Sequence, residues 1–145
     1  MMRIRPFVEG DLRAVLRVSE ESLTEEYSPI LFLEIREALP DAFLVAEVDG
    51  SVVGYICGYP LTAFEVRIAM FAVLPGYRGK GIGSALYAEF ERVARKRGFR
   101  IMRLEVRTGN RRAVEFYRRR GFMVVKVLKG YYRNGDDAYV MVKTL

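Results

Sequence analysis

Three glycines, Gly79, Gly81 and Gly83, alternate with Arg78, Lys80, Ile82 and Ser84 inside the run Val73 to Leu86, VLPGYRGKGIGSAL. Residue types in this pattern can hold an anion. Glycines let the main chain approach a bulky group without Cβ clashes, and Arg78 and Lys80 add positive charge. A helix beginning at Ile82 would point its first, internally unpaired amides at the same place, from the positive end of its dipole. A phosphate or pyrophosphate fits such a nest. Two other phosphate motifs fail on spacing. A Walker A loop needs Ser or Thr directly after Gly-Lys, but Gly81 follows Lys80; the dinucleotide fingerprint G-x-G-x-x-G/A fails at Ser84. The plainer alternative is a helix start that merely needs flexible glycines, which one glycine would favour and three between basic residues do not.

Other side chains with chemical capacity are few. Histidine is absent, which excludes a His-ligated metal and a Ser-His triad, and no metal site is expected. The one cysteine, Cys57, lies in the apolar run Gly54-Tyr55-Ile56-Cys57-Gly58, where a buried and inert thiol is expected and no intrachain disulfide can form. That leaves carboxylates and tyrosines as candidates for proton transfer.

Elements that would position these groups follow from the hydrophobic pattern. Arg3 to Phe7 reads as a strand. Asp11 can cap a helix with Leu12, Val15, Leu16 and Leu23 at helical spacing, and a second helix fits Pro29 to Leu39. Ala42 to Val48 and Ser51 to Tyr59 form a hairpin about Asp49-Gly50. Val66 to Leu74 is an apolar strand, and a long helix runs from Ile82 to Arg97 with Gly98 as its stop. Arg100 to Arg107 alternates, with Ile101, Arg103, Glu105 and Arg107 on one face. Asn110 to Arg120 is helical, and Phe122 to Leu128 and Asp136 to Lys143 are two final strands around Asn134-Gly135. The order β-α-α-β-β-β-α-β-α-β-β predicts an α+β fold with a mixed sheet covered by helices.

The 145 residues suit one domain spanning 1–145, with 51% hydrophobic and 29% charged residues arguing for a folded chain. A net charge of +6 suits an anionic partner without saying which. The start lacks the apolar run of a signal peptide, and no apolar stretch approaches the ~20 residues of a membrane span, so a soluble, cytoplasmic protein is expected. Glutamine is absent and asparagine occurs only at 110 and 134, a composition that fits a thermophilic source.

Arg78-x-x-Gly81-x-Gly83 resembles the R/Q-x-x-G-x-G/A signature of the GNAT superfamily of N-acetyltransferases, and Asn110, Ala113, Tyr117 and Gly121-Phe122 resemble that family's later N-x-x-A-x-x-x-Y-x-x-x-G-F pattern. Leu104-Glu105-Val106-Arg107 followed by Asn110 is similar to the L-E-V-R-x-x-N run of RimI-type ribosomal-protein alanine acetyltransferases. Tyr131 to Met141, YYRNGDDAYVM, resembles the Y-Y-x-x-G-E/D-D-A-Y-x-M stretch of protein N-terminal acetyltransferases, both RimI-type and the NatA catalytic type. Leu23-Thr24-Glu25-Glu26-Tyr27 is similar to the L-P-E-N-Y run of the NatA type, departing from it at Thr24 and Glu26.

The resemblance implies a GNAT fold: a mixed, mostly antiparallel sheet of about seven strands with about four helices. It implies acetyl-CoA as co-substrate, held by Phe71, Ala72, Val73, Arg78, Gly79, Lys80, Gly81, Ile82, Gly83, Ser84, Asn110 and Tyr117. It implies a protein or peptide N-terminus as acceptor, ribosomal proteins among them, with Glu25, Tyr27, Tyr131 and Tyr132 about it; no direct nucleic-acid or membrane partner; and a monomer or homodimer. An α-amine, with reference pKa ~7.7–8.0 against ~10.4 for lysine, is readily freed of its proton by a modest base. Glu105 or Glu25 would be that base, directly or through water, and Tyr117 the acid that protonates the departing thiolate. Each has a structural alternative: Glu105 as a strand carboxylate paired with Arg103 or Arg107, Glu25 as an exposed loop charge, Tyr117 as a core aromatic, Asn110 as a helix cap, Tyr131-Tyr132 as surface aromatics. Competing functions are a GNAT acetylating a small-molecule amine or a lysine side chain, and a basic RNA- or ribosome-binding module. Against the last, Arg95-Lys96-Arg97 and Arg118-Arg119-Arg120 sit at helix C-termini, where cations meet the dipole; the second cluster can also reach an adenosine 3′-phosphate.

Overall fold

A computed structural model describes residues 1–22 and 28–145 of the chain. The elements are β1 (Met2–Pro6), α1 (Leu12–Ser22), α2 (Pro29–Ala38), β2 (Phe43–Val48), β3 (Ser51–Pro60), β4 (Glu65–Val73), α3 (Ile82–Lys96), β5 (Ile101–Arg107), α4 (Arg111–Arg119), β6 (Met123–Leu128) and β7 (Ala138–Thr144). The order is the expected one. All seven strands share one sheet, ordered β1-β2-β3-β4-β5-β7-β6. Neighbours are antiparallel except β4 and β5, which run parallel.

That parallel pair is short. It is registered only from Glu65↔Ile101 to Arg67↔Arg103, although β4 continues to Val73 and β5 to Arg107. Beyond Arg67 the two strands part. On its other edge β4 stays paired with β3 through a bulge: Cys57 faces Met70 and Gly58 faces Ile68, so Ala69 is the extra residue. A bulge bends and twists the strand that carries it. It also exchanges the two faces. Val66 and Ile68 pack into the core beneath α3, and after the bulge it is Phe71 and Val73 that turn to that core while Met70 and Ala72 face α1 and α2.

Helices on the two faces bury two apolar clusters. One joins Leu86, Phe90 and Val93 of α3 to Ile56, Met102, Leu104 and Met141 of the sheet. The other joins Val15, Val18, Phe32 and Ile35 of α1 and α2 to Phe43, Val45 and Tyr55. Cys57 is fully buried in this second cluster, and burial pushes its thiol well above the ordinary range. The Tyr55 hydroxyl, inside the same cluster, is satisfied by Ser19 Oγ at 2.6 Å.

Most caps follow the sequence. Ser28 Oγ accepts from the Ile30 amide at 3.2 Å with Pro29 in the first turn of α2, and Asn110 Oδ1 accepts from the Ala113 amide at 3.2 Å at the start of α4. Asp11 departs from expectation. Its carboxylate turns back rather than forward, accepting from the Val8 amide at 2.8 Å and from both Arg5 terminal nitrogens at 2.8 and 2.9 Å. The Arg5 guanidinium holds that carboxyl below its usual range. A bidentate Arg partner at the end of β1 outcompetes the amides of a following helix.

Gly58 sits where β3, β4 and α3 meet most closely. A Cβ there would lie 2.2 Å from the Arg67 carbonyl oxygen and 2.7 Å from Phe90 Cζ. Backbone and a fully buried ring cannot both move, so overpacking costs of about 1–3 kcal/mol or more apply. Gly58→Ala is therefore expected to lower the equilibrium urea midpoint markedly, whereas Gly10→Ala, where a Cβ meets nothing within 4 Å, leaves it nearly unchanged. Equal midpoints for the two variants would contradict this packing.

Candidate functional site

The turn from β4 into α3 has the form its glycines predicted. A 3-10 turn at Pro75–Tyr77 follows the strand, and Arg78 Nε donates to the Val73 carbonyl at 3.1 Å, which ties the turn back to the strand end. Gly79 and Gly81 adopt φ of 75° and 84°, a left-handed geometry that favours glycine. Gly81 is the residue before α3, and its carbonyl accepts from the Ala85 amide at 3.0 Å. The amides ahead of Ala85 have no carbonyl one turn back, so they are available to an anion.

These residues line a cleft of about 430 Å3. Phe71, Ala72 and Val73 form one wall, Arg78, Gly79, Gly81, Gly83 and Ser84 a second, and Asn110, Arg112, Ala113, Phe116 and Tyr117 of the α4 region a third. Gly83 keeps the space open: a Cβ there would stand 3.6 Å from the Phe71 ring and 4.0 Å from the Phe116 ring. Two expected contributors do not line this cleft. Ile82 is buried in the core, so only its main chain is available, and Lys80 Nζ lies 5.7 Å from the centre of the Tyr77 ring. Arg120 stacks on Phe116, 3.4 Å from the ring centre, and donates to Ser84 Oγ at 2.7 Å, which brings one cation of the 118–120 cluster to the rim.

A second cleft, of about 770 Å3, opens where β4 and β5 part. Ile68 to Phe71 and Leu104 to Asn110 form its sides, and Tyr132 and Gly135 to Asp137 of the β6–β7 loop border it. The two clefts share Ser22, Phe71, Asn110, Ala113 and Tyr117, so they meet at the Phe71–Tyr117 pair, whose ring centres are 6.4 Å apart. The β4 edge facing this junction has lost its β5 partner, which leaves main-chain groups between Ile68 and Val73 directed at the opening.

Glu105 lines the second cleft with its side chain only 12% exposed. Its partner is Arg67, whose Nη2 lies 2.5 Å and Nε 2.7 Å from Oε1. The expected alternatives, Arg103 and Arg107, are engaged elsewhere: Arg103 pairs with Glu65 at 2.6 Å, and Arg107 with Asp136 at 3.0 Å. Tyr117 is 8% exposed and lines both clefts. Burial pushes its phenol well above the ordinary tyrosine range, the nearby Tyr132 adds to this, and the Arg120 cation opposes it. The hydroxyl therefore keeps its proton at neutral pH. Tyr117 is thus both a buried aromatic of α4 and a lining residue of the cleft junction.

Tyr131 and Tyr132 meet edge to face at 5.0 Å, but only Tyr132 lines the cleft, with the Arg107 guanidinium 3.9 Å above its ring. Tyr131 is 45% exposed and accepts from Arg67 Nη2 at 3.3 Å. Glu25 and Tyr27 lie outside the described residues. Residues of the site that were not anticipated include Ser22, Phe116, Arg112 and Arg67. Arg67 left a signal, since a cation between Val66 and Ile68 interrupts an apolar strand on the face it shares with Glu65. Among the described residues no cluster of three or more His, Cys, Asp or Glu is placed to hold a metal.

A split sheet whose glycine-rich turn lines one cleft, with a part-buried carboxylate in the adjoining cleft and a protonated phenol between them, suits an enzyme of acyl transfer. The chain belongs to the acetyltransferase (GNAT) family, whose profile matches residues 11–122. It is 36% identical to an N-alpha-acetyltransferase of Sulfurisphaera tokodaii over 99% of this chain and 93% of the relative. It is 31% identical to N-alpha-acetyltransferase 30 of Schizosaccharomyces pombe over 93% and 90%. The crystal structure of Ard1 from Thermoplasma volcanium superposes with a TM-score of 0.97 at 39% identity, covering 99% of this chain and 97% of that one. The protein is thus an acetyl-CoA N-acyltransferase, and the GNAT architecture expected from the motifs is the one observed.

Because a Cβ at Gly83 would already stand 3.6 Å from the Phe71 ring and 4.0 Å from the Phe116 ring, a branched side chain there should fill the first cleft. Gly83→Val is expected to weaken acetyl-CoA binding at least ~10-fold in calorimetric titration, about 1.4 kcal/mol, with a thermal midpoint close to that of the parent. Undiminished affinity would remove this cleft as the coenzyme site.

Proposed function

We propose that this chain acetylates the α-amine of protein N-termini, ribosomal proteins among them, using acetyl-CoA. The observation that carries the reading is the meeting of two clefts at Tyr117, one bearing the amide nest and the other bearing Glu105. Each reactant has its own way in, and their reactive ends come together beside one acid and one base. The names of the relatives, N-alpha-acetyltransferases in two organisms, support an α-amine acceptor. The Tyr132 and Gly135 to Asp137 border of the second cleft supports an acceptor longer than a small amine.

The residues divide the work as follows. The turn amides of 79–84, with Arg78, hold the diphosphate of the coenzyme, and Asn110 and Ala113 border its arm. The coenzyme supplies an acyl group already activated as a thioester, so no enzyme nucleophile is needed and Cys57 stays uninvolved. Glu105 receives the proton of the acceptor amine, directly or through one water, using the oxygen not engaged by Arg67. Unpaired main-chain amides at the β4 edge near Phe71 to Val73 face the carbonyl oxygen as it gains charge. Tyr117 donates its proton to the sulfur as it leaves. Glu25 remains the second base in this scheme and Tyr27, with Tyr131 and Tyr132, a companion of the acceptor.

Glu105→Gln and Tyr117→Phe are each expected to lower kcat by ~10²-fold or more on peptides beginning with Ala or Ser, with acetyl-CoA affinity within about two-fold of the parent. The raised Tyr117 pKa gives the pH dependence its sign: the acid stays protonated through pH 10, so kcat shows no loss from this group between pH 7 and 10. Purified enzyme offered a panel of peptides, lysine-bearing blocked peptides and polyamines should modify the free N-termini. Acetylation confined to lysine or small amines would overturn the reading.

A further inference from the structure

Arg67 reaches three groups from three parts of the chain. Its guanidinium holds Glu105 Oε1 of β5 at 2.5 and 2.7 Å, donates to the Tyr59 hydroxyl of β3, and donates to the Tyr131 hydroxyl of the β6–β7 loop at 3.3 Å. It occupies the last registered position of the parallel ladder, opposite Arg103, at the point where the cleft opens. It does not itself line the cleft, whereas Glu105 does. The side chain therefore acts through Glu105 and not on the acceptor.

We propose that Arg67 is a positioning residue that sets the charge of the acceptor subsite and so selects α-amines over lysine side chains. This rests on the N-terminal acetyltransferase reading above and adds to it the source of the selectivity. A lone carboxylate in a half-buried cleft attracts ammonium ions without regard to their pKa. The Arg67–Glu105 pair has no net charge, so an ammonium gains little by entering, and the acceptor that is captured is the neutral amine. At pH 7.5 the neutral fraction of an α-amine exceeds that of lysine by roughly 200-fold, from reference pKa values of ~8.0 and ~10.4. The geometry matters as well as the charge. Both guanidinium contacts fall on Oε1, so Oε2, which accepts no hydrogen bond among the described residues, stays presented for the proton.

One peptide carrying both a free N-terminus and an internal lysine tests this, with the two acetylated products separated by mass mapping between pH 6.5 and 9.5. The parent enzyme should favour the α-amine by about 100-fold or more near pH 7.5, with kcat/KM rising to a plateau near the α-amine pKa. Arg67→Met should lower the α-to-ε ratio at least 10-fold, reduce kcat, and flatten the pH profile, because the uncompensated carboxylate now binds and deprotonates ammonium ions. Arg67→Lys, which keeps the charge and folds with the space filled, should retain most of the selectivity while losing kcat, since one ammonium cannot hold Glu105 and both tyrosines. A parent-like ratio and pH profile in Arg67→Met overturns the proposal; should that variant not fold, an Arg67→Lys enzyme with parent kcat, or with selectivity lost, overturns it equally. A parent enzyme that leaves the α-amine untouched would instead refute the underlying functional reading, whatever the variants do.

Discussion

The short parallel ladder between β4 and β5 governs the rest of the molecule. Three registered residues hold the strands together, and past Arg67 each loses the other. Ending a ladder inside a sheet exposes main-chain donors and acceptors that cost free energy unless a partner satisfies them. Here that opening is the site itself. Both halves are anchored without it. β5 is registered with β7 over all seven of its residues, β4 is registered with β3 from Val66 to Val73 around the Ala69 bulge, and residues of α3 share one apolar cluster with strands of both halves. The cleft is thus a fixed gap between two braced half-sheets, and its width follows from core packing.

Electrostatics supports the same division of labour. The net charge of +6 invites a nucleic-acid partner, but much of the basic surface is already used. Arg92 pairs with Glu89, Arg95 with Glu91, Arg97 with Asp41 and Arg119 with Glu115 along the helices. Such exposed pairs stabilise little, yet they reduce the field that a polyanion would feel. Arg78, Arg112 and Arg120 differ. They stand around the amide nest, where a compact anion can meet several donors at once. The positive charge that matters is the part focused on one cleft.

Much of this was legible in the sequence because it is local. The Asp49-Gly50 turn, the alternation from Ile101 to Arg107, the helix start at Ile82 and the Asn110 cap each depend on neighbours within a few positions, and all are observed. What escaped depends on distant partners. Asp11 looks like a cap until Arg5 is placed beside it by the β1–β2 register. Ile82 looks like part of the nest until α3 is seen to turn that side chain into the core. The bulge at Ala69 has no glycine or proline to announce it, so β4 read as one uniform strand, and the exchange of its faces stayed hidden. Arg67 then had no visible partner, because Glu105, 38 positions further along the sequence, reaches it only once β4 and β5 are paired. The motifs pointed to the candidate clefts; the sheet decided which charges share them.

One helix ties the two ends of that site together. α3 begins at the nest, with Ile82 buried beneath it, and eight residues later places Phe90 against Gly58, a rise of about 12 Å. The missing Cβ at Gly58 lets Phe90 and the Arg67 main chain approach the same point from opposite sides. The main chain of Arg67, whose side chain pairs with Glu105, thus meets at Gly58 the same helix that starts at the glycine-rich turn. The packing of α3 on β3 and β4, and the pairing of β5 with β7, together set the span between the glycine-rich turn and the carboxylate. The distance between a carrier's phosphates and its reactive end is constant, and a site that transfers from such a carrier needs that constancy built into its core.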